Sequence, residues 1–194
     1  MILSKSYKEP PFCKREILRY AGCKTADSEI SKLLDECINE VSGSFTYNVC
    51  YRELTVKTDR ENCDFGFFSI KSEKLALNLE GCKKAIVFGA TVGIEIDRLI
   101  AKYLKLSPAK ALMLQAIGTE RIEALCDTFC KDLEKELTIK PRFSPGYGDL
   151  PICAQRDIFS VLDCERKIGL TLNDNLLMLP TKSVTAFIGI SKDR

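Results

Sequence analysis

An acidic residue interrupts an otherwise apolar helical stripe in the second half of the chain. Of eight positions spaced by four and three residues, seven are apolar or small and one is a glutamate: Leu112, Ala116, Thr119, Glu123, Cys126, Cys130, Leu133 and Leu137. An unpaired ionised carboxylate in a core is costly, so it normally pairs or becomes neutral. We therefore expect Glu123 to reach solvent at the core rim, to pair with a cation, or to face a cavity that takes a polar ligand.

A second acidic residue, Glu136, lies thirteen positions after Glu123. On a straight helix this separation corresponds to a rotation of about 220°, since successive residues are about 100° apart. The two glutamates can therefore share a site only if the helix ends or bends between them.

The segment 141–149, Pro-Arg-Phe-Ser-Pro-Gly-Tyr-Gly-Asp, has the composition of a binding loop. Its prolines fix φ at their own positions, while its glycines allow a positive φ or a close approach of another group. Arg142 suits recognition of a carboxylate by two parallel hydrogen bonds, and Tyr147 offers a flat apolar face with one polar tip. A purely structural loop is the alternative.

Histidine and cysteine usage narrows the chemistry. The chain has no histidine, which excludes Ser-His-Asp and Cys-His catalysis and imidazole metal ligands. The closest of its ten cysteines are Cys126 and Cys130, and no C-x-x-C pair occurs, so a metal site is not predicted. We expect these cysteines to be small buried thiols in a reducing compartment, with a redox or cluster role and disulfides as alternatives.

Charge and hydropathy indicate where the chain acts. Lysine and arginine number 29 against 27 acidic residues, a net charge of +2, so neither nucleic acid nor an anionic membrane is an expected partner. The N-terminus lacks the apolar core of a signal peptide, and no run approaches the roughly 18–20 apolar residues of a membrane span. The sequence therefore predicts a cytoplasmic protein.

The elements that must position these residues alternate without a regular β-α period. Helices are predicted over 12–21, from about 25–27 to 41, from 72 to 81, and over 93–104, 108–135 and 151–164. Ser72 is the expected cap of the third of these helices and Asp149 that of the sixth. A bend is possible at Gly118 in the fifth. Strands are predicted over 45–51, 65–70, 85–88 and 183–191. This pattern predicts an α+β fold, with one domain over residues 1–194 and a mixed or antiparallel twisted sheet flanked by helices. The junction from Gly89 to Gly93 resembles a phosphate-binding loop only weakly, because it lacks the phosphate-binding lysine. It is either a plain turn or a place where the backbone approaches a ligand.

Several motifs carry a resemblance to a known family. Arg142-x-x-Pro145-Gly146-Tyr147, followed by Gln155 and Ile158-Phe159, resembles the activation domain of cobalamin-dependent methionine synthase. The runs 168–172, 178–180 and 183–185 are similar to that domain in order and spacing. The motifs over 142–147, 182–186, 19–22 and 90–93 resemble the family's stand-alone bacterial subunits. The diagnostic motifs lie between residues 116 and 189.

The resemblance implies a function. Domains of this family bind S-adenosylmethionine and help to restore methylcobalamin from cob(II)alamin, with an electron from a flavodoxin-type donor. For this chain it implies an activation subunit without catalytic residues of its own, whose cobalamin is carried by a separate methionine synthase core or another corrinoid protein. The alternative is a non-catalytic adaptor or an S-adenosylmethionine sensor for another corrinoid methyltransferase.

The resemblance also implies ligand contacts. It assigns Arg142 to gripping the ligand, Ser144 to a backbone contact, Tyr147 to the ligand and the corrin face, and Glu123 and Glu136 to two acidic positions. Carboxylates would meet the cationic or hydroxyl groups of the ligand, and the guanidinium would meet its carboxylate.

The chain also departs from the family pattern. No residue in 1–60 matches the N-terminal aspartate of the family site, Asn173-Asp174 replaces a Glu-Ser pair, and the chain ends nine residues after Thr185. We therefore expect a pocket that is more open or is completed by a partner.

Overall fold

The computed structural model describes residues 1–23, 25 and 27–193; residues 24, 26 and 194 of the expected domain lie outside the described residues. The helices are α1 (Lys14–Tyr20), α2 (Ser28–Val41), α3 (Glu73–Asn78), α4 (Glu95–Leu106), α5 (Pro108–Leu133), α6 (Ala154–Val161) and α7 (Cys164–Ile168). The strands are β1 (Leu3–Ser6), β2 (Asn48–Thr55), β3 (Lys57–Thr58), β4 (Asn62–Asp64), β5 (Ser69–Lys71), β6 (Lys84–Thr91), β7 (Leu137–Ile139), β8 (Thr171–Leu172), β9 (Met178–Leu179) and β10 (Ser183–Asp193).

A five-stranded antiparallel sheet forms the centre, in the order β1-β2-β6-β10-β7. Strand β6 pairs with β2 on one side and with β10 on the other, and its residues from Ala85 to Thr91 are all buried. The continuous apolar run of β6 follows from this central position, since both of its faces are covered. Strands β3-β4-β5 and the hairpin β8-β9 form two smaller sheets.

The helices cover both faces of the sheet. Helix α5 lies on one face with α1 and α2, where Phe129 packs against Phe88 of β6. On the other face α3, α6 and α7 pack around Phe187 of β10. Because side chains alternate along a strand, Ala186 and Ile188 of β10 point to the α5 side while Phe187 points away. The α+β prediction, with an antiparallel sheet and flanking helices, is confirmed.

Some predicted elements differ in detail. Residues 65–68 form the turn between β4 and β5 instead of a strand, with Gly66 at φ +78°. The helix predicted over 151–164 is divided into α6 and α7. Asp149 caps α3, accepting from the Ser72 hydroxyl at 2.6 Å and the Glu73 N–H at 2.8 Å, because the chain folds back onto that helix terminus.

Cysteine side chains contribute mainly to packing. All ten are free, and six are buried: Cys37, Cys50, Cys63, Cys82, Cys126 and Cys164. Over the described part of the chain, no helix combines the length and the apolar character needed to cross a membrane.

Candidate functional site

Arg142 joins the loop after β7 to helix α5 through two ion pairs. Its Nη2 donates to Oε2 of Glu123 and its Nη1 donates to Oδ1 of Asp127, each at 2.6 Å. The two acids are four residues apart, so both carboxylates lie on one side of α5. Glu123 therefore pairs with a cation, which is one of the three situations expected for it.

These ion pairs keep the guanidinium charged. Burial by itself acts to lower the pKa of Arg142, but the hydrogen bonds with Asp127 and Glu123 outweigh burial and raise it. Beneath the ion pairs, burial raises the pKa of the Cys126 and Cys130 thiols above the ordinary value. Burial therefore works against thiolate formation at both positions.

Glu123 and Asp127 line a cavity of about 450 Å³ between α5, α1 and the segment before α1. Its walls contain four carboxylates and one ammonium. The full lining is Pro10, Pro11, Cys13, Glu16, Tyr20, Glu120, Glu123, Ala124, Asp127, Thr128 and Lys131. Each of these carboxylates is paired with an arginine: Glu16 with Arg19, Glu120 with Arg121, and both Glu123 and Asp127 with Arg142. The walls therefore offer carboxylate oxygens as hydrogen-bond acceptors, held in place by ion pairs.

A second cavity, of about 400 Å³, is lined by Arg142 together with Cys130, Glu134, Ile139, Lys140 and Pro141. Since Glu123 and Asp127 line the first cavity and Arg142 lines the second, the ion pairs stand between the two cavities.

The loop from Arg142 to Asp149 is anchored at both ends. Phe143 and Phe187 exchange two backbone hydrogen bonds of 2.9 Å, and Asp149 caps α3. The carbonyl of half-buried Ser144 accepts from the N–H of Tyr147 at 3.1 Å. Tyr147 is 71% exposed, and its ring meets Phe143 edge-on at 5.6 Å between ring centres.

Glu136 takes no part in the ion pairs of Arg142. It is exposed in the segment between α5 and β7, and neither of the two cavities beside Arg142 includes it. The pKa of Lys5 is raised chiefly by its hydrogen bond to Asp132, with a minor contribution from Glu136, so Glu136 lies near that pair. The structure thus brings Glu123 and Arg142 together and puts Ser144 and Tyr147 on the same loop, but it does not bring Glu136 to Arg142.

Asp127 was missed by the sequence reasoning, although its spacing carries a signal. It follows Glu123 by four residues, the separation at which two side chains of a helix share one side. A pair of carboxylates at this spacing, next to a loop with an arginine, is a recognisable pattern.

The buried pair Glu120 and Arg121 was also missed. Arg121 is 0% exposed and donates to both carboxylate oxygens of Glu120, at 2.6 and 2.5 Å, and to the carbonyls of Pro10 and Pro11, at 2.5 and 2.9 Å. Phe12 stacks on its guanidinium at 3.9 Å. This pair fixes the segment that forms one wall of the acidic cavity, and no local pattern indicates it.

A protein-family model described as the activation domain of vitamin B12-dependent methionine synthase matches residues 72–193. The chain belongs to this family. Glu123 and the 142–149 loop fall within the matched residues of the activation domain, whereas Glu16 and Tyr20 of the cavity precede them. No curated protein sequence matches the chain.

Among solved structures, the chain is similar to one described as the MetH reactivation domain bound to AdoHcy. The TM-score is 0.71 with 12% identity, covering 100% of this chain and 79% of the other. At this identity the likeness establishes the fold, and it agrees with the expected activation-domain architecture.

Proposed function

We propose that this chain binds S-adenosylmethionine and supports the reductive methylation of cob(II)alamin carried by a separate methionine synthase. The observation that carries the proposal is the cluster of Arg142, Glu123 and Asp127 beside an acidic cavity, in a chain of the activation-domain family. A protein of the same fold described as bound to AdoHcy supports the choice of ligand.

The polar groups of the cavity suit this ligand. S-adenosylmethionine carries a sulfonium, an ammonium and one carboxylate, so its net charge is positive. The carboxylate oxygens in the walls can accept from its ammonium and ribose hydroxyls, and the cavity volume of about 450 Å³ lies within the usual range for small-molecule sites.

Arg142 has two tasks in this proposal. Its bonds to Glu123 and Asp127 hold both carboxylates in one orientation, which reduces the cost of ordering them when a ligand binds. A guanidinium has five N–H donors, and the bonds to these acids and to the Cys130 thiol leave the others for a ligand group. Tyr147 offers its exposed ring to an adenine or a corrin face, and Ser144 offers its backbone. Glu136 is included on the resemblance alone.

The chain's contribution to methyl transfer is positioning. Bound beside the carboxylates of the cavity, the sulfonium would hold its methyl group in one direction, which removes much of the entropic cost of a bimolecular step. Cobalamin on the partner would supply the reduced cobalt that takes the methyl group, with an electron from a flavodoxin-type donor. The ten free thiols suit a reducing cytoplasm as the place of action.

Calorimetric titration of S-adenosylmethionine tests the proposal. We expect the wild type to bind and Arg142→Ala to bind roughly tenfold or more weakly, since a charged hydrogen-bonding group is lost. Arg166→Ala is the matched control, because Arg166 also pairs with an acid but lies exposed on α7. Glu136→Gln in the same series measures the contribution of Glu136. Absence of binding to the wild type at millimolar ligand would contradict the proposal.

If the ligand binds, reactivation of a cob(II)alamin-loaded methionine synthase with a reductant should require this chain.

The adaptor alternative is favoured by exposed apolar side chains around the loop, among them Tyr147 and Ile152, the latter 45% exposed. An adaptor would bind the corrinoid protein equally well with Arg142→Ala, and no ligand would be needed.

A further inference from the structure

Two buried thiols, those of Cys50 and Cys164, lie beside each other where α7 packs on the central sheet. Cys50 is on β2 and Cys164 is the first residue of α7, and both belong to the apolar cluster around Phe187. The two cysteines are 114 positions apart in the sequence, so it is the fold that brings them together. Their contact is a property that no local spacing predicts.

Gly89 of β6 provides the space for this contact. It is the cross-strand partner of Cys50, and a Cβ atom on Gly89 would lie 2.9 Å from Sγ of Cys164. Directly paired residues place their Cβ positions on one face of the sheet, about 4.5–5.5 Å apart, so the Cys164 thiol lies next to Cys50 on that face. An alanine at position 89 would collide with the thiol, which accounts for the glycine.

The two thiols differ in how readily they ionise. Their mutual hydrogen bond lowers the pKa of Cys50 and raises the pKa of Cys164, and the backbone N–H of Asp163 also stabilises the Cys50 thiolate. Cys50 is therefore the better nucleophile of the two, and Cys164 is placed to react second. With exposed fractions of 0% and 1%, both thiols are closed to large reagents, so an oxidant must be as small as hydrogen peroxide.

We propose that Cys50 and Cys164 form a redox-responsive lock, which hydrogen peroxide closes into a disulfide between β2 and α7. The Cys50 thiolate attacks one oxygen of the peroxide and breaks the O–O bond, which leaves a sulfenic acid on Cys50 and releases hydroxide. The hydroxide takes up the proton that Cys50 lost and becomes water. The Cys164 thiol then attacks the Cys50 sulfur, and its own proton leaves with the displaced hydroxide as a second water. In total the two thiols lose two electrons, and the peroxide gains them.

Closing the lock makes the domain more resistant to unfolding. A disulfide between residues 114 positions apart removes much of the conformational freedom of the unfolded chain. It also ties α7, which the β8-β9 hairpin follows in the chain, to a strand of the central sheet. We expect oxidation to raise the midpoint of thermal unfolding by roughly 5–15 °C, and a dithiol reductant to reverse the rise.

Peptide mapping of the oxidised protein tests the inference. The accessible thiols of the native protein are first alkylated, hydrogen peroxide is then added, and the protein is digested without reductant. We expect mass spectrometry to find a linked pair of peptides that contains Cys50 and Cys164, together with the rise in the unfolding midpoint. Cys164→Ala should lose both responses. Cys63→Ala is the matched control, because Cys63 is equally buried in the same cluster, and it should keep both.

Three results would overturn the inference. These are absence of the linked peptides in the native wild type, their formation only in urea, and a linkage that leaves the unfolding midpoint unchanged or lower. The mapping of the wild type decides between these outcomes even if Cys164→Ala does not fold. Neither measurement involves S-adenosylmethionine, so this inference and the proposed function stand or fall separately.

Discussion

Replacing Arg121 by methionine removes the cation of the buried pair in α5 while keeping a stem of similar length. Glu120, whose side chain is 5% exposed, would keep only the Cys13 N–H at 3.2 Å, and the carbonyls of Pro10 and Pro11 would lose their donors. Breaking a buried ion pair by removing one partner typically costs about 3–5 kcal/mol. A domain is usually stable by about 5–15 kcal/mol, so this is a large share of the total.

Urea unfolding followed by circular dichroism measures this loss. Thermal unfolding should show a midpoint lower by roughly 6–20 °C, because 1 kcal/mol corresponds to about 2–4 °C for a chain of this size. Arg98→Met is the control, because Arg98 and Glu95 form an exposed pair on α4, and its effect should stay within about 0.5 kcal/mol. The double variant Glu120→Leu with Arg121→Met should recover about 1–2 kcal/mol, since no buried charge is left. A loss below about 1 kcal/mol for Arg121→Met would refute the reasoning.

Two further predictions concern the backbone and acid stability. Gly93 has φ +86°, and a Cβ atom there would lie 2.5 Å from Oγ1 of Thr46, whereas Gly43 has φ +75° and open space around it. Gly93→Ala should therefore destabilise the protein by about 1 kcal/mol more than Gly43→Ala. Equal losses of stability in urea unfolding would show that the contact with Thr46 is relieved. The hydroxyl of Ser72, helped by N–H groups of α3, holds the pKa of Asp149 below its ordinary 3.8. The stability that Asp149 contributes is therefore present above that value and is lost as the pH falls through its lower folded pKa, so wild type and Asp149→Asn should converge in strong acid. A difference that persists there would contradict this.

Local patterns were sufficient for much of the fold. Helices α2 and α5 follow apolar spacing with clear start signals, and β10 follows a period of two, so each was predicted near its observed bounds. The burial of Arg121 could not be predicted in this way, because the carbonyl that covers it belongs to a residue 111 positions away.

The candidate site was predictable to a similar degree. Glu123 and Arg142 were identified by an interrupted stripe and a restricted loop, and their contact is observed. The position of Glu136 depends on how the chain leaves α5, and that path is decided by pairing of β7 with β10 and not by local spacing. The place of Glu136 relative to Arg142 therefore could not be predicted from spacing, and its contact with a ligand stays a prediction.

The double anchoring of the loop from Arg142 to Asp149 has a consequence for the proposed ligand binding. Its backbone bonds to β10 and its cap on α3 leave few torsions to be frozen, so the entropy lost on ligand entry is small. Freedom remains at the tip, where Gly146 and Gly148 flank the exposed Tyr147 ring. Under the proposed function, the loop would therefore present Arg142 in a fixed position, and conformational adjustment to a ligand would be confined to this tip.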